Sequence, residues 1–280
     1  MSIQFINKGG SSGEYNTKTN ASLTSSKNTV ISNIEELPTI DCNGITSANS
    51  TFSGMKSLTS IYLSNTNNIK TMNYMFNGCN VLTTIGLSDT SNATNMNNMF
   101  NDCRALTTIP LFDTSNVIDM SGMFYYCRAL TTIPLFDTSK VTNMSNMFAN
   151  CSALTTIPLI DTSSVTNMNN MFSSCSKLTT IPLIDTSSVT NMGGMFSYCS
   201  VLTTIPALDT SKVTSMSVMF SSCNNLSNES LNNILSMCAN SAITSSKTLR
   251  NIGLSSAQAT TCQGLSNYQA FLDAGWTTGY

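Results

Sequence analysis

The 280-residue chain contains no histidine. That absence removes the commonest general base, proton shuttle and metal ligand together. Neither a Ser-His-Asp nor a Cys-His arrangement can be assembled from it. Charge is scarce too: 9% of residues are Asp, Glu, Lys or Arg and the net charge is −2, against a usual charged share of about a quarter. The 12 basic residues never cluster, which argues against a nucleic-acid partner. No stretch approaches the roughly 18 apolar residues of a membrane span, so no membrane insertion is expected. The opening MSIQFINKGGSSGEYNTKTN lacks an apolar h-region and does not read as a secretory signal peptide. The chain is expected to be made in a cytoplasm and not to leave it by the general secretory route.

What the chain does have is Ser, Thr and Asn in every segment, and 41% hydrophobic residues. With so little net charge, that balance favours a folded chain over a disordered one. It also has a repeat. Phe52, Phe76, Phe100, Phe124, Phe148, Phe172, Phe196 and Phe220 stand 24 residues apart. Leu58 to Leu226 and Cys79 to Cys223 keep the same spacing, with Met55 where an eighth Cys would be. Two Met columns, Met72 to Met216 and Met75 to Met219, run in step with them.

One unit, residues 106–129, reads LTTIPLFDTSNVIDMSGMFYYCRA. Ile109 and Leu111 alternate around Pro110, as in a short strand facing a core. Met120, Met123, Phe124 and Cys127 fall at i, i+3, i+4 and i+7, the inward stripe of a short helical turn. The residue after the first Met (Asn73, Asn97, Ser121, Ser145, Asn169, Gly193, Ser217) is an N-cap type throughout. A single coil cannot bury its own apolar face, so coils must stack. The expected fold is an α/β repeat solenoid: leucine-rich-repeat-type coils, each with one short parallel strand and a short helical turn, closed by C-terminal helices. Pro110, Pro134, Pro158, Pro182 and Pro206 each remove one ladder N–H, so regular pairing should stop or narrow there. A second, weaker ladder near Ser-x-Val-Thr is possible on the Val117 to Val213 column.

The runs DTSKVTNMSNMFANC (137–151), DTSSVTNMNNMFSSC (161–175) and DTSSVTNMGGMFSYC (185–199) resemble the repeats of the BspA-like leucine-rich-repeat surface-protein family. The resemblance covers about residues 58–226. It implies a solenoid of the kind found on cell-surface and adhesive proteins, and brings no catalytic residues. MSIQFINKGG, running into a Gly/Ser/Thr/Asn-rich stretch, resembles instead the first residues of tail-associated phage proteins.

The organisation expected is a polar segment over 1–28, the solenoid over 29–226 with a degenerate first coil at about 29–51, and a helical cap over 227–280. In the cap, Leu231, Ile234, Leu235 and Cys238 form a helical stripe. A second helix starts near Ser255 or Ser256, and a third holds Tyr268, Phe271 and Leu272. Trp276 packs the cap.

The Cys column reads as buried core, since side chains in a column point parallel and no C-x-x-C pair suits zinc. In D-T-S, Asp89, Asp113, Asp137, Asp161, Asp185 and Asp209 are placed to form Asx-turns. A calcium ladder would need further oxygens. No cofactor, metal or catalytic residue is assigned. The candidate ligand-binding residues are Phe112, Phe136, Ile160, Ile184 and Leu208. If Ile109 and Leu111 point inward, alternation turns these five outward beside the Asp column, as an apolar patch wanting a partner. If the chain bends after Leu111, they go inside instead. The function expected is a non-enzymatic recognition or structural module, a phage virion protein of the tail or adsorption apparatus. Its partners would be a protein or glycan on a bacterial surface, or other virion proteins. The alternative is a bacterial cell-surface adhesin.

Overall fold

The structure, a computed structural model, describes residues 2–5, 18–19, 37 and 39–279. Most of the polar segment expected over 1–28, and part of the expected first coil, lie outside the described residues. Strands β1 (Ser2–Phe5), β2 (Lys18–Thr19), β3 (Ile40–Asp41), β4 (Ser60–Ser64) and β5 (Thr84–Leu87) form one sheet in the order β2-β1-β3-β4-β5. β3, β4 and β5 pair in parallel, with Ile61 opposite Ile85 and Leu63 opposite Leu87.

The chain is a leucine-rich-repeat solenoid. Its coils stack through columns of identical buried residues, among them Leu106, Val117, Met120, Met123, Phe124 and Cys127 and their equivalents. The eight Phe rings from Phe52 to Phe220 form one continuous stack, with neighbouring centroids 5.5–5.8 Å apart and ring planes within 5–14° of parallel. This spacing falls inside the range for favourable aromatic pairs, about 4.5–7 Å.

The longest strand pairing, four residue pairs, joins the two coils whose proline position holds Tyr62 or Gly86. From residue 106 on, where that position is proline in every coil, no multi-residue strand remains among the described residues. Single bonds such as Thr131 N–H to Thr107 C=O, 3.2 Å, survive. One missing N–H per coil is enough to dissolve so short a ladder. The second ladder does exist, just past the Val column. Residues 71, 95, 119, 143, 167, 191 and 215 form parallel bridges from coil to coil. The N–H groups of Ile118, Thr142, Thr166, Thr190 and Thr214 each donate to the coil before.

The expected helical turn at 120–127 is not helical. Gly122 and Tyr126 lie in the left-handed region at φ 60° and 63°, which gives two successive turns closed by Met123 N–H to Met120 C=O and Cys127 N–H to Phe124 C=O. The N–H groups of Met120, Gly122, Phe124 and Tyr126 then reach Asn143, Ser145, Met147 and Ala149 in the next coil at 2.8–3.1 Å. A helix would spend those donors within its own coil. These turns spend them on the neighbour while still burying Met120, Met123, Phe124 and Cys127. The expected N-cap residues also take another part. The N–H groups of Asn97, Ser121, Ser145, Asn169 and Gly193 donate to the Oδ1 of Asn95, Asp119, Asn143, Asn167 and Asn191, two residues earlier, and Asn73 N–H donates to Asn49 Oδ1 in the coil before.

After Leu226 come α1 (Asn228–Asn240), α2 (Ser256–Cys262) and α3 (Tyr268–Asp273). Ser227 caps α1, and Ser255 with Gln258 forms a capping box on α2. This segment supplies the acceptors a further coil would have supplied. Val218 and Phe220 N–H donate to the Asn251 and Ile252 carbonyls, and the Gln258 amide donates to Cys223 C=O. Trp276 is buried beside Phe271.

Candidate functional site

The stretch from the proline to the D-T-S triplet decides what the solenoid presents. Leu111, Leu135, Leu159 and Leu183 are 71%, 62%, 63% and 65% exposed. Phe112, Phe136, Ile160, Ile184 and Leu208, the five expected as a surface stripe, are all buried, at most 8% exposed. Of the two alternatives the inward one holds for these five, and the outward residue is the preceding leucine, expected to point inward. The cause is local. Phe136, Ile160 and Ile184 N–H donate to the carbonyls of Pro134, Pro158 and Pro182, two residues back, at 2.9–3.0 Å. Such a three-residue turn interrupts strand alternation and pushes its central residue outward. Phe136 then packs against Phe112 and Phe124, with centroids 5.1 and 6.2 Å away.

Two residues beyond each exposed leucine stands an exposed Asp. Its Oδ1 accepts from the Ser N–H two residues on, as at Asp113 and Ser115 (2.9 Å) and at Asp209 and Ser211 (2.8 Å). These are the expected Asx-turns. Hydrogen bonds from Ser139, its hydroxyl first and then its N–H, hold the Asp137 carboxyl below its usual pKa. The Asp89, Asp185 and Asp209 carboxyls are lowered mainly by the Ser N–H. These hydrogen bonds orient the acid column, and it borders the leucines.

Two interior columns hold this edge in place. The buried Thr of D-T-S was not recognised as structural in the sequence, although a polar residue at every coil was a signal. Thr90, Thr114, Thr138, Thr162 and Thr186 each donate Oγ1 to the main-chain carbonyl of the next coil's Asp at 2.6–2.8 Å. The cysteines are free and buried. Each thiol from Cys79 to Cys199 donates to a Phe carbonyl of the coil before at 3.1–3.2 Å. Burial pushes the Cys79, Cys175 and Cys223 thiols up to about 12. Among the described residues no helix is long and apolar enough to cross a membrane.

A family model described as Mycoplasma protein of unknown function, DUF285, matches residues 22–133, 46–157 and 128–234. Similar solved structures include a leucine-rich repeat protein from Eubacterium ventriosum, at 22% identity over 58% of this chain and 50% of that one, TM-score 0.43. A leucine-rich repeat protein from T. pallidum is 19% identical over 73% of this chain and 79% of that one, TM-score 0.38. One from Bacteroides ovatus is 21% identical over 59% of this chain and 44% of that one, TM-score 0.40. The chain spans half the length of the Eubacterium ventriosum protein. No curated protein matches it.

Proposed function

Because the chain belongs to the DUF285 family, whose repeats are of the BspA-like leucine-rich type, we propose that it is a recognition module that docks a protein at a bacterial cell surface. The observation that carries this reading is the row of exposed leucines, Leu111, Leu135, Leu159 and Leu183, one per coil beside an Asp column. Scattered exposed apolar residues need no explanation, but a contiguous row with an acidic border does. The partner is an extended basic segment. Its apolar side chains cover the leucines, and its Lys or Arg residues meet Asp113, Asp137, Asp161 and Asp185. Such charge matching sets register and association rate more than affinity.

The test is binding of the labelled chain to intact bacterial cells. Support would be binding that is lost when the cells are pretreated with protease, weakens with salt, and disappears in the Leu111/Leu135/Leu159/Leu183→Ser variant. Equal binding to protease-treated cells, or by the variant, would overturn it. A concentration-dependent dimer abolished by the same variant would make the occupant a second copy of the chain. The virion reading rests on the likeness of the opening residues to phage tail proteins. Sedimentation at fixed stoichiometry with phage particles would support it over the adhesin.

A further inference from the structure

The face made by the Met-to-Cys turns varies from coil to coil. The left-handed position two residues past the first Met holds Asn98, Asn146 and Asn170 at φ 53°, 57° and 54°, Tyr74 and Val218 at 56° and 49°, and glycine at Gly122 (φ 60°) and Gly194 (φ 63°); only the Gly122 coil also carries Tyr three residues on. The missing side chain at Gly122 leaves a notch between Asn98 and Asn146. A Cβ at Gly122 would stand 2.3 Å from Asn98 Oδ1, so that amide already leans into the space. Three residues on, where the adjoining coils carry Asn101 and Ala149, this coil carries Tyr125. The result is a cleft of about 330 Å³ walled by Asn98, Asn101, Ser121, Tyr125, Ser145 and Asn146. Its volume lies at the small end of ligand sites, roughly 300–1,000 Å³.

The chemistry of the walls is specific. No charged residue lines this cleft. The Ser121 and Ser145 hydroxyls and the Asn146 amide have no hydrogen-bond partner among the described residues. Hydroxyls and amides both donate and accept, as sugar hydroxyls do. Tyr125 adds a large, rigid, amphipathic surface that loses little entropy on binding, the role tyrosine plays beside Ser, Gly and Asn in binding loops. Across Asn101 a second cleft, of about 290 Å³, is walled by Asn77, Asp102, Arg104 and Tyr126. Its charges are already engaged. Arg104 grips both Asp102 oxygens at 2.6 and 3.1 Å, and the neighbouring Arg128 guanidinium lies 5.1 Å from the Tyr126 ring centre. Of the two cations near this cleft, Arg104 is paired with Asp102, and Arg128 is held over the Tyr126 ring.

We propose that these two clefts, joined at Asn101, bind a short neutral oligosaccharide, with one sugar in the Gly122 notch against Tyr125 and the next beside Tyr126. This site is separate from the leucine row and does not depend on it.

Saturation-transfer NMR and titration calorimetry on the full chain test the proposal. The probes are neutral di- to tetrasaccharides of glucose, mannose, galactose and N-acetylglucosamine. One class should bind. Gly122→Asn, which installs the residue the adjoining coils carry at the same φ, should weaken it at least about tenfold with the melting temperature unchanged. If that variant melts early, Tyr125→Ser decides, since Ser173, Ser197 and Ser221 occupy the equivalent position. The quadruple leucine variant should bind the sugar as wild type does, so failure of the docking reading and failure of this one are distinguishable. No binding by any probe, binding that survives both cleft variants, or tighter binding of sialylated or phosphorylated sugars would each overturn the proposal.

Discussion

The Thr138 hydroxyl donates to the main-chain carbonyl of Asp161 at 2.6 Å, joining the two coils from inside just where the exposed edge turns. The bond is buried at Thr138, and its equivalents repeat from coil to coil, ending with Thr210 donating to Met237 in the cap. Thr138→Val keeps the shape and leaves that carbonyl without its donor. A buried acceptor left unpaired costs about 1–3 kcal/mol. Urea unfolding of the variant should show a loss in that range, and a change within error would remove the column from the account of stability.

Neighbouring residues 135 and 136 should behave oppositely. Leu135→Ser changes an exposed side chain and should leave stability within about 0.5 kcal/mol. Phe136→Ser removes a ring from the buried cluster with Phe112 and Phe124 and should cost about 3–5 kcal/mol, as large-to-small core changes do. Similar melting temperatures for the two would contradict the turn at Pro134.

The cysteines predict a pH dependence. Burial raises the folded-state pKa of Cys79, Cys175 and Cys223 to about 12 from 9.0. Below pH 9 the thiol is protonated in both folded and unfolded chains and adds no pH dependence. Above it the unfolded chain releases protons that the folded chain keeps, so stability falls as pH rises from 9 to 12. Denaturation midpoints measured across that window should decline. At pH 8 the native chain should resist thiol alkylation that the unfolded chain accepts.

The end of the stack must be closed. Val218 and Phe220 find their acceptors in residues 251 and 252, and the cap covers the last Phe ring, Leu226 and the column ends. A chain stopped after residue 226 would expose those N–H groups and an apolar end face, which terminal repeats exist to prevent. Size-exclusion chromatography should show aggregation of the shortened chain. A stable monomer would mean that the cap is dispensable.

Much of this was legible in the residues, because repetition leaves few alternatives. The inward set Met120, Met123, Phe124 and Cys127 follows from spacing alone, as do the Asx-turn at Asp113 and the three helices after Leu226. The candidate site was legible only to within one residue. The proline was noticed for the N–H it lacks, but its carbonyl did the deciding, by accepting from Phe136, Ile160 and Ile184. The notch at Gly122 escaped because it is an absence, visible only when Asn98 and Asn146 are set above and below it.

By itself the sequence determined the 24-residue period, the register of every column and the identity of the core, since covalent spacing carries all three. Tertiary structure alone decided whether 120–127 would be helix or turns, which of Leu111 and Phe112 would face water, and where a cleft would open. Each of those depends on where an N–H finds its acceptor. In this chain many of the acceptors lie in the neighbouring coil, about one full repeat away along the chain.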